Sequence, residues 1–141
     1  MLKRTVISIL LFAAAFMVRA QAQTLIGLEK TEVMEVVKES YRDYAPDNSI
    51  VKQQFNYLKF VNNSQTITWI IYFSQDDICT STKKVCDYVE YDFVLDELNE
   101  HCKATGDMEW TCMDDDRPYV MTLTEQDWYF TVREKMKENK K

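Results

Sequence analysis

The first 22 residues constrain this chain more than any other feature, because they decide which residues are left to fold. Lys3 and Arg4 give a positively charged start, and residues 6–18 are almost entirely apolar. Residues 20–22 (Ala-Gln-Ala) supply the small side chains that signal peptidase needs before its cleavage point. The apolar stretch is shorter than the ~20 residues that cross a bilayer. We therefore predict a cleaved signal peptide over residues 1–22 and export to the periplasm or the extracellular space, with no stable membrane anchor afterwards.

The remaining residues form an acidic chain of single-domain size. The whole sequence has a formal net charge of −6, and its acids are most concentrated between residues 76 and 116. Such a surface repels phosphate backbones and anionic lipid headgroups, so we expect no nucleic-acid partner. It would attract a basic partner or a cation, although a solvated acidic face is the simpler explanation. With no linker and no internal repeat in sight, we predict one globular domain over residues 23–134 and a charged, flexible tail over residues 135–141.

Two segments have the periodicity of amphipathic helices, residues 29–44 and residues 86–103. In the first, Val33 and Val37 recur at helical spacing, and Pro46 ends the helix because the residue before a proline is pushed out of the α region. In the second, the expected buried stripe contains Tyr88, Tyr91, Leu95, Leu98 and Cys102.

Six segments are expected to be strands, at residues 53–61, 66–73, 78–82, 107–113, 118–124 and 128–133. Residues 66–73 give the strongest signal because they are dense in β-branched and aromatic side chains. In the last strand, Trp128, Phe130 and Val132 are expected to share a buried face. The order α-β-β-β-α-β-β-β predicts an α+β two-layer sandwich, with a mainly antiparallel sheet and both helices on one face.

The mature chain has four cysteines, and an even number in a small exported domain predicts two disulfides. Three pairings are possible on sequence alone. Cys102 falls on the helix stripe and Cys112 on the inward face of the next strand, which favours Cys102–Cys112. The remaining pair, Cys79–Cys86, would then close a local loop.

Other chemistry finds little support in the sequence. The cysteines lack the closely spaced pair that is typical of a structural zinc site. His101 and Cys102 are adjacent in a predicted helix, so their side chains do not face each other as a Cys–His nucleophile pair would. Residues 114–116 (Asp-Asp-Asp) lack the glycine and glutamate of a calcium loop and are expected to form an exposed turn. We therefore expect no cofactor, no metal and no catalytic residue that the sequence could name.

The aromatic residues on the predicted strands are the feature of the sequence that most suggests a binding surface. If Trp69 and Trp128 face the helices, then Tyr72 and Tyr129 project from the opposite face of the sheet. Exposed tyrosines on a sheet are effective interface anchors, although they could also pack along the open face or under loops. We name Tyr72 and Tyr129 as candidate binding residues.

Several features are shared with small exported proteins of unknown function from Bacteroidota-type bacteria, which the chain resembles over most of its mature length. These features are Ala20-Gln21-Ala22-Gln23, the helix entry Gly27 to Val33, the strand Thr66 to Phe73, Cys79, Leu98-Asn99, Trp110 and Trp128 to Phe130. The helix entry is also similar to that of BamE/BLIP-like folds. This second resemblance implies a binding module, while the later helix and the four cysteines depart from the BamE pattern. Neither resemblance implies any catalytic residue.

These observations lead us to expect an exported, non-enzymatic protein-binding module that meets an envelope or extracellular protein. Two alternatives from other classes stay open. One is an envelope hydrolase that uses a pair of carboxylates. The other is a small-ligand carrier with a pocket between the helices and the sheet.

Overall fold

The protein is represented by a computed structural model, and the structure describes residues 23–49 and 54–139. The predicted signal peptide therefore lies outside the described residues. So do the last two lysines and Gln53, the first residue of the predicted second element.

Two helices and eight strands make up the fold within these described residues. In chain order they are α1 (Lys30–Ser40), β1 (Tyr44–Pro46), β2 (Tyr57–Asn62), β3 (Ile67–Phe73), β4 (Cys79–Cys86), α2 (Tyr91–His101), β5 (Lys103–Gly106), β6 (Glu109–Asp114), β7 (Arg117–Glu125) and β8 (Phe130–Met136). A short 3₁₀ turn, Tyr88–Glu90, leads into α2.

Helix α1 follows the predicted apolar stripe, with Val33 and Val37 both buried. It ends four residues earlier than predicted, because Tyr41 leaves the helical conformation (φ −122°, ψ 59°). Tyr44 then enters β1, where it pairs with Asn62. The chain must already be extended ahead of Pro46, and this explains why the helix cannot continue.

All eight strands belong to one antiparallel sheet with the order β1-β2-β3-β4-β8-β7-β6-β5. Strands β4 and β8 lie side by side at its centre, in register from Ser81↔Lys135 to Cys86↔Phe130. The halves on either side are each a meander of four consecutive strands preceded by a helix of 11 residues. The fold is therefore two similar α-β-β-β-β units joined along β4 and β8, a repeat that the sequence does not reveal.

The predicted sequence of elements missed two short strands, β1 and β5. They are the outermost strands of the sheet and contain three and four residues. Every residue of β5 is exposed, so it has no alternation of apolar and polar side chains to recognise. The predicted fold class is nevertheless confirmed: the protein is an α+β sandwich of one antiparallel sheet and two helices.

The core lies between the sheet and the two helices, in two clusters. The cluster under α1 contains Leu25, Ile26, Val33, Val37, Phe60, Trp69, Ile71, Phe73 and Cys79. The cluster under α2 contains Ile67, Cys86, Leu98, Trp110, Leu123, Phe130 and Val132. Because side chains alternate along a strand, the residues between these core positions point to the other side of the sheet.

We call that other side the helix-free face, since no helix among the described residues packs on it. It carries Ile70 and Tyr72 of β3, Lys83 and Val85 of β4, Val120, Thr122 and Thr124 of β7, and Thr131, Arg133 and Lys135 of β8.

The prediction that Trp128 shares the buried face with Phe130 and Val132 is wrong. Strand β8 begins only at Phe130, and Trp128 lies in the preceding turn with 88% of its surface exposed. The turn is closed by a hydrogen bond from the amide of Gln126 to the carbonyl of Tyr129, with a donor–acceptor distance of 2.9 Å. The register of β8 therefore begins after Trp128 rather than including it.

The far end of β8 also differs from the prediction. Lys135 and Met136 were expected in a flexible tail, but they pair with Val120 and Tyr119 of β7. This places the charged side chain of Lys135 on the helix-free face of the sheet.

Candidate functional site on the helix-free face

One of the two predicted disulfides is confirmed. Cys102, directly after α2, is bonded to Cys112 of β6, and their Cα atoms are 4.5 Å apart. The pairing is the predicted one, but Cys102 does not lie on the helix stripe: α2 ends at His101, and Cys102 is already extended (φ −130°, ψ 165°).

The predicted Cys79–Cys86 bond is wrong, since both residues are buried free thiols. They are the first and last residues of β4, which separates them by roughly 23 Å at ~3.3 Å per residue. Strand β4 is longer than predicted and leaves no loop for such a bond to close. Burial raises the pKa of Cys79 to about 12 and that of Cys86 to about 11. Neither thiol is therefore an active nucleophile at neutral pH.

The two candidate binding tyrosines do not form one site. Tyr72 lies on the helix-free face opposite Tyr57, and its ring contacts that of Phe55 edge to face at 6.2 Å. Tyr129 lies in the turn before β8 and is 42% exposed. The register places Tyr72 level with Lys135, at the other end of β8, so the two tyrosines are roughly 20 Å apart along the strands.

Three cationic side chains occupy the centre of the helix-free face. Lys83 of β4 lies directly opposite Arg133 of β8, and Lys135 follows on the same side of β8. None of the three forms an ion pair with any residue that the structure describes. They line a broad depression of about 1140 Å³ together with Lys137, the carboxylates of Glu109 and Glu138, and the hydroxyls of Thr122, Thr124 and Thr131.

The sequence analysis did not single out these cations, although a signal was present. From Phe130 onward, residues alternate between the core (Phe130, Val132) and a polar side that contains Arg133 and Lys135. Ending the predicted strand at Arg133 removed Lys135 from this pattern.

A second ionisable group lies on the opposite side of the sheet, under the helices. The Lys84 ammonium packs over the rings of Trp69 (4.7 Å) and Tyr44 (5.8 Å), and burial lowers its pKa. Nearby, burial raises the pKa of Glu134, an effect that the Thr24 hydroxyl and Lys84 partly offset.

The hydrogen bonds of Glu134 and Asp114 are relevant to the alternative of a hydrolase with a catalytic pair of carboxylates. Glu134 accepts a hydrogen bond from the Thr24 hydroxyl at 2.8 Å, and Asp114 accepts one from the Thr24 amide at 3.3 Å. Arg117 is paired with the same oxygen of Asp114. Because Thr24 is itself buried, both carboxylates are engaged in holding the N-terminal segment on the sheet.

One group of potential metal ligands is found among the described residues. Glu97, Glu100 and His101 lie on exposed positions of α2, with ligand atoms within 4.8 Å of one another. The His101 Nε2 atom is 3.5 Å from a carboxylate oxygen of Glu97. Asp115 and Asp116 form the exposed turn between β6 and β7, as predicted.

No helix within residues 23–49 and 54–139 has the length and apolar character needed to cross a membrane. Comparison with known proteins gives no match: no family model, no curated protein and no solved structure is similar to this chain. The function is therefore argued from its own residues.

Proposed function

We propose that the mature chain is an exported, non-enzymatic protein-binding module whose helix-free face binds an acidic segment of a partner protein. The observation that carries the proposal is the central group of Lys83, Arg133 and Lys135. These cations are unpaired within the described part of the chain, although the protein as a whole has an excess of acids.

The position of the cations supports a role in binding. Like charges directly opposite one another across a sheet are destabilising, and Lys83 faces Arg133 in this way at the junction of the two units. An acidic ligand across β4 and β8 relieves this repulsion, and the resulting attraction accelerates association.

The rest of the face favours a protein partner over a simple polyanion. Half-buried apolar side chains flank the cations, with Val85 on one side and Val120 on the other. Tyr72 and Phe55 add a paired aromatic edge. Aromatic and arginine side chains are both enriched at interfaces between proteins.

Export is the second part of the proposal. It is supported by the signal-peptide pattern of residues 1–22 and by the Cys102–Cys112 disulfide, which fits an oxidising compartment. The periplasm and the extracellular space both meet this condition. A binding role also agrees with what the resemblance to BLIP-like domains implies.

A charge-reversal experiment tests the proposed site. The probe is a fluorescently labelled peptide of alternating glutamate and leucine, with binding followed by anisotropy. The double variant Lys83→Glu with Arg133→Glu should weaken binding of the peptide at least about tenfold. Two positive charges that attract its glutamates are then replaced by negative charges that repel them.

The matched control is the double variant Lys38→Glu with Arg42→Glu, which makes the same change in net charge at exposed positions near α1. Equal weakening by both double variants would show that only the overall field matters and would refute a site on the sheet. Equally tight binding of a DNA duplex to the unaltered protein would refute a protein-specific face.

A further inference from the structure

The structure exposes a group of large apolar side chains at one end of the molecule, remote from the centre of the helix-free face. They belong to the segment leading into α2 and to the turn between β7 and β8. We call this group the aromatic end: Trp128 (88% exposed), Val89 (73%), Phe93 (62%), Tyr129 (42%) and Tyr88 (38%).

Hydrogen bonds join these two segments into one surface. The Tyr88 hydroxyl donates to the carbonyl of Gln126, and the Tyr91 hydroxyl donates to a carboxylate oxygen of Glu125 at 2.6 Å. The rings of Tyr88 and Tyr91 both contact that of Phe130 in the core, with centroids 5.6 and 5.2 Å away. The segments are thus fixed to the sheet, and Trp128 is held at the tip of a hydrogen-bonded turn.

Exposure of this kind needs a physical explanation. Single exposed apolar residues are ordinary on protein surfaces, but grouped ones mark interaction sites. Val89 lies in the 3₁₀ turn and Phe93 in the first turn of α2, so both belong to the same short segment of chain. Tryptophan and tyrosine are also the residues that most often dominate binding energy at interfaces.

The charges around the aromatic end define its partner. Residues 87–101 and 125–129 contain no lysine or arginine. Their acids are Asp87, Glu90, Asp92, Asp96, Glu97, Glu100, Glu125 and Asp127. This surface is therefore apolar in the middle and negative around it, the reverse of the charge on the helix-free face.

We infer that the aromatic end is a second docking surface, which binds a basic, amphipathic segment of a partner protein. Apolar side chains of that segment pack on Trp128 and Phe93. Its lysines and arginines lie against the surrounding acids and over the aromatic rings, where cation–π attraction adds to ion pairing. A bilayer surface fits less well, because the acids repel anionic headgroups.

Tryptophan fluorescence gives a direct readout. Of the three tryptophans, Trp69 and Trp110 are each 4% exposed and only Trp128 is open to an added ligand. An amphipathic peptide of lysine and leucine is the probe, and a glutamate–leucine peptide of the same pattern is its counterpart. The lysine–leucine peptide should shift emission to the blue and protect Trp128 from acrylamide, and added salt should weaken the effect.

Variants locate the binding surface, with a label on the peptide as the signal. Trp128→Ala should weaken binding of the lysine–leucine peptide about tenfold or more, as expected for a hot-spot tryptophan. Reversing Asp92→Lys and Asp127→Lys should weaken it as well. Met34→Ala is the control, because it removes a 51% exposed apolar side chain of α1, which belongs to neither proposed surface.

Three outcomes would overturn the inference: unchanged peptide binding by Trp128→Ala, a blue shift produced by neutral lipid vesicles alone, or self-association of the protein that Trp128→Ala abolishes. The charge reversal at Lys83 and Arg133 should affect only the glutamate–leucine peptide. Failure of this surface and failure of the helix-free face are therefore distinguishable.

Discussion

At the scale of single residues, the most consequential side chains are ionisable groups on the helix-bearing side of the sheet. Lys84 and Glu134 lie on the two central strands, each with a pKa shifted by burial towards its neutral form. Thr24 meets Glu134 from the N-terminal segment. The segment that precedes α1 is thus attached to the sheet at the junction of the two units, through a carboxyl group whose charge is unfavourable there.

This arrangement predicts a pH dependence of stability. The folded protein raises the pKa of Glu134, so it binds the proton more tightly than the unfolded chain does. Its stabilising contribution is complete below the ordinary glutamate value of about 4.3 and is lost as pH rises towards the folded pKa. Glu134→Gln keeps an acceptor for Thr24 without the charge. It should match the unaltered protein in acid and exceed it in stability at neutral pH.

Urea unfolding midpoints across this pH range provide the measurement. Lys84 lowers the pKa of Glu134 and Asp114 raises it, and the overall direction of the shift is upward. Glu109→Gln is the control, because it removes an equal charge from the helix-free face. It should leave the change of the unfolding midpoint with pH unaltered. A Glu134→Gln protein that is less stable at neutral pH would mean that attraction to Lys84 outweighs the cost of burial.

At the scale of elements, the sequence predicts those helices and strands whose side chains follow a regular pattern. Strand β3 is recognised because its side chains are β-branched or aromatic throughout, and α1 because its valines recur at helical spacing. Strand β5 has no such pattern, since its pairing partner alone holds it in the sheet. The same limit explains the failed Cys79–Cys86 prediction: the length of β4 is set by pairing with β3 and β8, which sequence periodicity does not report.

The Cys102–Cys112 bond gives a prediction for the second unit. It closes a loop with a sequence separation of 10, for which chain entropy predicts stabilisation by about 2–3 kcal/mol. The double variant Cys102→Ala with Cys112→Ala should lose this amount in chemical denaturation. Since the free thiols are buried, a reductant should mimic the double variant and should not change it further. An unaltered midpoint in the double variant would show that the Trp110–Asn99 hydrogen bond and the α2 core suffice without the bond.

At the scale of the whole molecule, two α-β-β-β-β units share one sheet, and the core cluster under α2 includes Ile67 and Cys86 of the first unit. The junction consists of the β4–β8 ladder, and residues of both strands contribute to the cluster under α2. The two proposed surfaces lie on different parts of this frame: cations at the junction itself, and the aromatic end beside α2. A partner bound across β4 and β8 would contact both units at once, whereas the aromatic end belongs to the second unit alone. Stability at the junction therefore matters for the proposed function as much as for the fold.

This leads to a prediction about cooperativity. Phe130 is fully buried at the start of β8, pairs with Cys86 of the first unit and contacts the ring of Tyr91 in the second. Phe130→Ala should destabilise the protein by about 3–5 kcal/mol, the usual loss for truncating a buried phenylalanine. Because the two units share β4 and β8, both should lose stability together.

Variants that keep either Trp69 or Trp110 as the sole buried tryptophan report on the first and the second unit separately. Coincident unfolding midpoints that move together on Phe130→Ala indicate one cooperative structure. Earlier unfolding at Trp110 would instead show that the second unit opens by itself, and binding across the junction would then have to order it first.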